Sequence, residues 1–81
     1  MGYHKTIIQK GVLGESSKIQ EELDELKDGE AQGARLLVLC ELADLVGAID
    51  YYLKIKFPGW KMSDLQQMAS LTQSAFKEGE R

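Results

Sequence analysis

The sequence predicts an all-α fold in which a subunit of three helices assembles with further copies of itself. Apolar residues recur at helical rather than alternating spacing, and glycine and proline fall between the helical blocks. The chain has 81 residues, and a domain near this size buries only about 60% of the surface that its unfolded chain exposes. The short length and a strongly apolar middle block therefore predict an oligomer.

The first helix is predicted from Ser16 to Lys27. Ser16 or Ser17 can cap its N-terminus, because a serine hydroxyl accepts a hydrogen bond from a backbone N–H of the first turn. Its apolar residues are spaced four and then three apart, as on one side of an amphipathic helix; they are Ile19, Leu23 and Leu26. Gly29 and Gly33 flank a polar segment that is predicted to break the helix.

The second helix is predicted from Ala34 to Lys56, and the Phe57-Pro58-Gly59 segment ends it. Its apolar residues lie nearly all round the helix, which is typical of a helix that is buried on several sides. They are Leu36, Leu37, Leu39, Leu42, Leu45, Val46, Ile49, Tyr52 and Leu53. Cys40 is predicted to be a small buried side chain among them.

The third helix is predicted from Ser63 to Lys77, with Ser63 as its N-cap and Gln66 completing a capping box. Trp60, just before this helix, is predicted to fill the core rather than to stack on a ligand. The inward-facing residues of the helix are predicted to be Leu65, Met68, Ala69, Leu71, Thr72, Ala75 and Phe76.

The middle helix has more apolar surface than its two neighbours can cover. A second copy of the chain would cover it in a four-helix bundle, as a dimer or as a tetramer. The alternative is a monomeric three-helix bundle that leaves some leucine exposed.

The length predicts one domain over residues 1–81. The composition, with 43% hydrophobic and 28% charged residues, is ordinary for a globular protein. No apolar run reaches the ~20 residues of a membrane span, and the first residues lack the apolar core of a signal peptide. The single cysteine fits a reducing compartment. We therefore expect a cytoplasmic protein with no membrane partner. Its net charge of −3 argues against a nucleic-acid partner.

Acidic residues lie at unusual places on the first two helices. Glu22 and Glu25 share a stripe that lies beside the apolar stripe of the first helix. Glu41 and Asp44 share a face of the apolar second helix, where carboxylates are costly to bury unless they are paired or bind a metal. The alternatives are a solvated acidic face on the first helix and ion pairs of Glu41 and Asp44 with Arg35 or with a neighbouring chain.

Two helices that each present such a carboxylate pair can converge on one divalent cation. Four carboxylates repel one another, and a hard cation relieves that repulsion. Because all four ligands are oxygen atoms, Mg²⁺ or Mn²⁺ fits better than zinc.

The two motifs resemble those of the MazG-like superfamily, the all-α nucleoside triphosphate pyrophosphohydrolases. The first motif is Glu21-Glu22-Leu23-Asp24-Glu25, and the second, after fifteen intervening residues, is Glu41-Leu42-Ala43-Asp44. The resemblance covers roughly residues 11–79, and the segments 14–20 and 74–81 are similar to those of short phage-encoded members. It implies a Mg²⁺-dependent, oligomeric enzyme that cleaves a nucleoside triphosphate between its α and β phosphates. For a phage-encoded protein, the expected location is the cytoplasm of the host.

The resemblance also implies a role for each residue of the motifs. The implied metal ligands are Glu22, Glu25, Glu41 and Asp44. Glu21 and Glu22 are implied to be catalytic, with Glu21 orienting or deprotonating the attacking water.

The substrate contacts are predicted from helix faces. Tyr51 and Lys54 follow Asp44 along one stripe of the second helix, and Lys18 lies on the acidic stripe of the first. The two lysines would contact phosphate and Tyr51 would stack on the base or ribose. The alternative is that the lysines are solvated and that Tyr51 is a packing residue.

Two further functions remain open from the sequence. The chain could be a non-enzymatic helical module that senses a nucleotide or binds a host protein, or a purely structural homo-oligomer. Release of pyrophosphate in the presence of Mg²⁺ separates the enzyme from the other two.

Overall fold

The computed structural model describes residues 7–77, and this part of the chain is all-helical, as predicted. It contains three helices: α1 (Ser16–Gln32), α2 (Arg35–Lys56) and α3 (Met62–Lys77). The break between α1 and α2 is only two residues long, so these two helices form a hairpin and lie side by side.

The first helix is five residues longer than predicted, because Gly29 does not break it. The helix ends at Gly33, whose φ of +70° is the left-handed conformation that glycine adopts without strain. The Gly33 N–H donates to the carbonyl of Glu30, and the Ala34 N–H donates to that of Gly29. These two bonds form a Schellman motif, which satisfies carbonyl groups at the helix end. The predicted serine cap is wrong: Glu15 holds the N-cap position, with no capping bond from its side chain.

These two glycines give opposite predictions for substitution by alanine. Gly29→Ala should stabilise the fold by up to about 1 kcal/mol, because alanine favours a helix interior, and its Cβ would lie 3.4 Å from Leu37 and Val38. Gly33→Ala should destabilise the fold by about 1 kcal/mol, because its Cβ would strain a left-handed residue. Urea unfolding of both variants measures the difference, and equal effects would contradict this description of the helix end.

The second helix ends where the sequence predicts. The Phe57 N–H donates to the carbonyl of Leu53, and Gly59 turns the chain with a φ of +95°. The third helix starts differently from the prediction: Ser63 lies within its first turn and is not the N-cap. The carboxylate of Asp64 instead accepts a hydrogen bond of 2.9 Å from the backbone N–H of Lys61. Asp64 reaches back in this way to satisfy a backbone N–H at the helix start.

The contact between α1 and α2 buries more acidic than apolar side chains. The residues that are at most 5% exposed include the apolar Ala48 and Leu53 and the acidic Glu21, Glu22, Asp28 and Glu41. The opposite face of α2 is apolar and exposed, and we call it the outer face; it comprises Leu36, Leu39, Cys40, Leu42, Ala43 and Val46. The prediction that Cys40 is buried is therefore wrong for a single chain.

The third helix makes few contacts with the other two and has no buried residue. The predicted inward stripe is only partly covered within one chain: Met68, Leu71 and Phe76 are more than half exposed, whereas Leu65, Thr72 and Ala75 are half-buried. Trp60 is also half exposed, so it does not fill a core within the chain. Over residues 7–77, no helix is long and apolar enough to cross a lipid bilayer.

Candidate metal centre

Four carboxylates from α1 and α2 meet in one cluster, and they are the four that the two motifs single out. Each of the four residues offers a carboxylate oxygen, and these oxygens all lie within 4.8 Å of one another. The residues are Glu22, Glu25, Glu41 and Asp44. The i, i+3 spacing within each pair places both carboxylates on one helix face, and the α1–α2 hairpin turns these two faces toward each other.

The cluster has a buried side and an open side. Glu22 and Glu41 are each 5% exposed, whereas Glu25 is half-buried and Asp44 is exposed. A cavity of about 430 Å³ adjoins the open side, within the size range of small-molecule sites. Its lining residues are Lys10, Leu13, Lys18, Glu21, Glu22, Glu25, Ala43, Asp44, Gly47 and Ala48.

The donor set fits a hard divalent cation. Carboxylate oxygens are the ligands that Mg²⁺ and Mn²⁺ prefer, and within residues 7–77 no sulfur or nitrogen ligand belongs to the cluster. Oxygen ligands of one Mg²⁺ lie about 3 Å apart when adjacent and about 4.2 Å apart when opposite, so the cluster, whose oxygens lie within 4.8 Å of one another, would contract around the ion. Side-chain rotation can supply this contraction on the open side, where Glu25 and Asp44 are accessible.

The clustering of negative charge disfavours the ionised form of Glu22. Burial and the adjacent Glu25 carboxyl raise the pKa of Glu22, and the ammonium of Lys18 offsets this only in part. The Lys18 Nζ lies 3.3 Å from Glu22 Oε2 and 3.1 Å from Glu21 Oε1. Burial opposes the charge of Lys18, but these two carboxylates outweigh it and raise its pKa. Lys18 therefore remains charged between them.

A glutamine at position 22 should stabilise the metal-free protein at neutral pH. Because the folded pKa of Glu22 is raised, the folded state binds more protons than the unfolded state. The contribution of Glu22 to the free energy of unfolding is therefore most favourable below the ordinary pKa of glutamate. It decreases as the pH rises through the raised pKa of the folded state. Glu22→Gln removes this loss, so in chelator its melting temperature at pH 7 should exceed that of the wild type. A lower melting temperature would contradict the repulsion described here.

Glu21 lies outside the four-carboxylate cluster, although it is buried and belongs to the first motif. Its Oε1 accepts hydrogen bonds from the Gly11 backbone N–H at 2.8 Å and from Lys18 Nζ at 3.1 Å. Its Oε2 lies 3.6 Å from Lys10 Nζ. Burial alone would raise the pKa of Glu21, but these donors outweigh burial and hold the pKa below its ordinary value. Glu21 is therefore ionised; it accepts hydrogen bonds from Gly11 and Lys18 and attracts Lys10 by charge.

The three residues that were predicted to contact the substrate do not all line the cavity. Lys18 lines the cavity, but Tyr51 and Lys54 are absent from its lining residues. Lys54 pairs with Asp50 at 3.2 Å; Asp50 lies about two turns and Lys54 about three turns beyond Asp44 on α2. The ring of Tyr51 lies close to Gly14. Direct contact of Tyr51 and Lys54 with a substrate stays a prediction.

Sequence reasoning missed the segment that precedes α1. Lys10 and Leu13 line the cavity, and both come from irregular chain with no periodic pattern. The one available signal was the pair of glycines at positions 11 and 14. A Cβ at Gly11 would lie 2.1 Å from the Ser17 carbonyl oxygen, so the chain crosses the start of α1 at a distance that only glycine permits.

Comparison with known proteins adds no relative. No protein-family model matches the chain, and neither a curated protein nor a solved structure matches it. The resemblance to the MazG-like superfamily therefore rests on the two sequence motifs alone.

Proposed function

We propose that this protein is a Mg²⁺-dependent nucleotide pyrophosphohydrolase of the MazG-like type. It would cleave a (deoxy)nucleoside triphosphate between the α and β phosphates and release the monophosphate and pyrophosphate. The observation that carries the proposal is the convergence of Glu22, Glu25, Glu41 and Asp44, whose ligand oxygens lie within 4.8 Å of one another. The motifs that place these residues are the ones that resemble the superfamily.

Mg²⁺, or Mn²⁺ in its place, would be held by these four carboxylates. When bound, the ion would neutralise phosphate charge and favour charge development at the α phosphorus. Glu22 lines the cavity, so its carboxylate would be placed to accept a proton from the attacking water. The water oxygen forms a bond to the α phosphorus, the α–β anhydride bond breaks, and pyrophosphate leaves.

Lys18 would support this reaction by holding the cluster in shape. Its ammonium contacts Glu21 and Glu22 from one side, and Lys18 also lines the cavity. The positive charge reduces repulsion between the acidic cluster and an incoming triphosphate. Lys54 and Tyr51 would contact only those parts of a substrate that lie away from the carboxylate cluster.

We also propose that the active form is a homo-oligomer, a dimer or a tetramer, in the cytoplasm of a cell or of a phage host. The outer face of α2 supports the oligomer: Leu36 is 80% exposed, Leu39 is 63% exposed and Val46 is 50% exposed. These residues and Ala43 follow the alternating three- and four-residue spacing of helices that pack side by side. Two copies of the chain would bury these residues against each other in a four-helix bundle.

A non-enzymatic module that senses nucleotides or binds a host protein is the second candidate. The uncovered residues of α3 and the turn before it favour it, because Trp60, Met68 and Leu71 border a shallow cavity of about 510 Å³. An exposed apolar surface of this kind suits a partner protein. This candidate predicts binding of Mg²⁺ and nucleotide without release of pyrophosphate.

The ion itself is tested by thermal unfolding with and without Mg²⁺. A ligand at one hundred times its Kd stabilises the folded state by about 2.7 kcal/mol, which raises the melting temperature of a domain this size by roughly 10 °C or more. We expect such a rise with Mg²⁺ or Mn²⁺ and a much smaller one with matched NaCl. Equal shifts with MgCl₂ and with NaCl at the same ionic strength would contradict a specific site.

A further inference from the structure

The segment before α1 forms a wall of the candidate site. We call residues 10–15 the arm. The Gly11 N–H donates to Glu21 Oε1 at 2.8 Å, and the Val12 N–H donates to Ser17 Oγ at 3.0 Å. The Glu15 N–H donates to the Val12 carbonyl at 3.0 Å and closes a turn. The arm is thus hydrogen-bonded to α1 at two points and lies across its first turns.

Close packing fixes the path of the arm as well. A Cβ at Gly11 would lie 2.1 Å from the Ser17 carbonyl oxygen and 2.5 Å from the Lys18 nitrogen, both of which belong to the backbone. Gly14 has a φ of +92°, and a Cβ there would lie 3.2 Å from Ile55 of α2. Each glycine permits an approach that a side chain would prevent.

The arm brings Lys10 to the cavity. Among the cavity's lining residues, Lys10 and Lys18 are the two cations, facing Glu21, Glu22, Glu25 and Asp44. Lys18 is held between Glu21 and Glu22, with its side chain 28% exposed. The side chain of Lys10 is 80% exposed, and its Nζ lies 3.6 Å from Glu21 Oε2, too far for a hydrogen bond. Lys10 can therefore turn toward an anion in the cavity at little cost.

We propose that Glu21 is a positioning residue that fixes the arm, and that the arm places Lys10 as a contact for the polyphosphate of the substrate. This inference rests on the proposed function. It places the phosphate groups of the substrate on the side of the cavity that Lys10 lines. A triphosphate beside four carboxylates needs cations in addition to a bound metal ion, and of the two described lysines that line the cavity, Lys10 is the more exposed. Glu21 then acts through the arm instead of on the attacking water.

Kinetics distinguish a positioning role of Glu21 from a catalytic one. Glu21→Gln should raise KM for a hydrolysed triphosphate about tenfold and leave kcat within a factor of about three, because it weakens the hold on the arm and leaves the cluster intact. A residue that activates water would instead lose kcat by about 10²-fold or more when replaced. A large loss of kcat with unchanged KM would overturn the proposal and support the catalytic assignment.

Two variants test the link between the arm and Lys10. Lys10→Ala should raise KM, and the Kd of Mg²⁺-pyrophosphate in calorimetry, about tenfold. Gly11→Ala should do the same although it alters no charged group, because the added Cβ lifts the arm. The double variant should be no worse than either single variant, since both remove the same contact. Lys10→Arg should retain wild-type values, and Lys27→Ala, at an exposed position of α1 outside the cavity lining, is the matched control.

Hydrogen exchange supplies a readout that does not depend on turnover. The amide of residue 11 should exchange slowly in the wild type and in Lys10→Ala, and faster in Glu21→Gln and in Gly11→Ala. Unchanged exchange in Glu21→Gln would overturn the anchoring role. Wild-type KM and wild-type Mg²⁺-pyrophosphate affinity in Lys10→Ala would overturn the phosphate contact while leaving the proposed function intact. If the wild type neither hydrolyses triphosphates nor binds Mg²⁺-pyrophosphate, the proposed function and this inference both fail.

Discussion

Glu41→Gln is expected to lower kcat/KM by at least about 10²–10³-fold while leaving the protein folded. Loss of a group that only supports a metal ligand already costs about 10–100-fold, and Glu41 is itself one of the four clustered carboxylates. Glutamine has nearly the same size and no charge, so it relieves repulsion within the cluster. The melting temperature in chelator should therefore stay the same or rise, and its increase with Mg²⁺ should disappear.

Asp28→Asn is the matched control for this variant. Asp28 is another carboxylate of the α1–α2 contact and is 5% exposed, but it lies outside the cluster and accepts a hydrogen bond of 2.8 Å from Gln32. Its replacement should leave both turnover and the effect of Mg²⁺ near wild-type values. Full turnover in Glu41→Gln, or equal losses in the two variants, would contradict the role assigned to the cluster.

Leu39→Asp should convert the oligomer into monomers. Leu39 is 63% exposed in a single chain, so an aspartate there does not disturb the α1–α2 contact. In a two-fold interface the change occurs twice, and loss of a buried leucine together with burial of a charge costs roughly 3 kcal/mol per copy. The dimer Kd should then rise roughly 10⁴-fold.

Sedimentation equilibrium measures this outcome directly. The wild type should show two or four times the chain mass of 9.1 kDa, and Leu39→Asp should show the chain mass itself. Lys27→Asp, at an exposed position of α1, should leave the wild-type mass unchanged. A monomeric wild type, or an unchanged mass in Leu39→Asp, would contradict the assembly through the outer face of α2.

The acidic cluster could be predicted because its spacing is local. Carboxylates three residues apart share a helix face wherever the helix forms, and a two-residue connection brings α1 and α2 together. Glu22, Glu25, Glu41 and Asp44 consequently meet as the motifs indicate. The helix ends were less predictable, because a glycine can either break or continue a helix. Gly29 continues α1, while Gly33 ends it in the left-handed conformation.

The arm could not be predicted, because its path depends on contacts between residues that no periodicity relates. Glu21 matches the first glutamate of the motif, yet it bonds to Gly11, ten residues earlier. Cys40 was predicted to be buried because of its apolar neighbours and Trp60 was predicted to fill the core, and the structure of one chain leaves both exposed. Apolar periodicity identifies the apolar face of a helix. It does not show whether the same chain or a second copy would cover that face.

The most direct test of the proposed activity is product analysis with a panel of common and modified (deoxy)nucleoside triphosphates in the presence of Mg²⁺. Monophosphate and pyrophosphate should appear in equal amounts from at least one nucleotide, and neither should appear with chelator or with Glu41→Gln. Release of orthophosphate and a nucleoside diphosphate would contradict cleavage between the α and β phosphates. No product from any nucleotide, together with binding of Mg²⁺, would contradict the enzyme and support the sensing module.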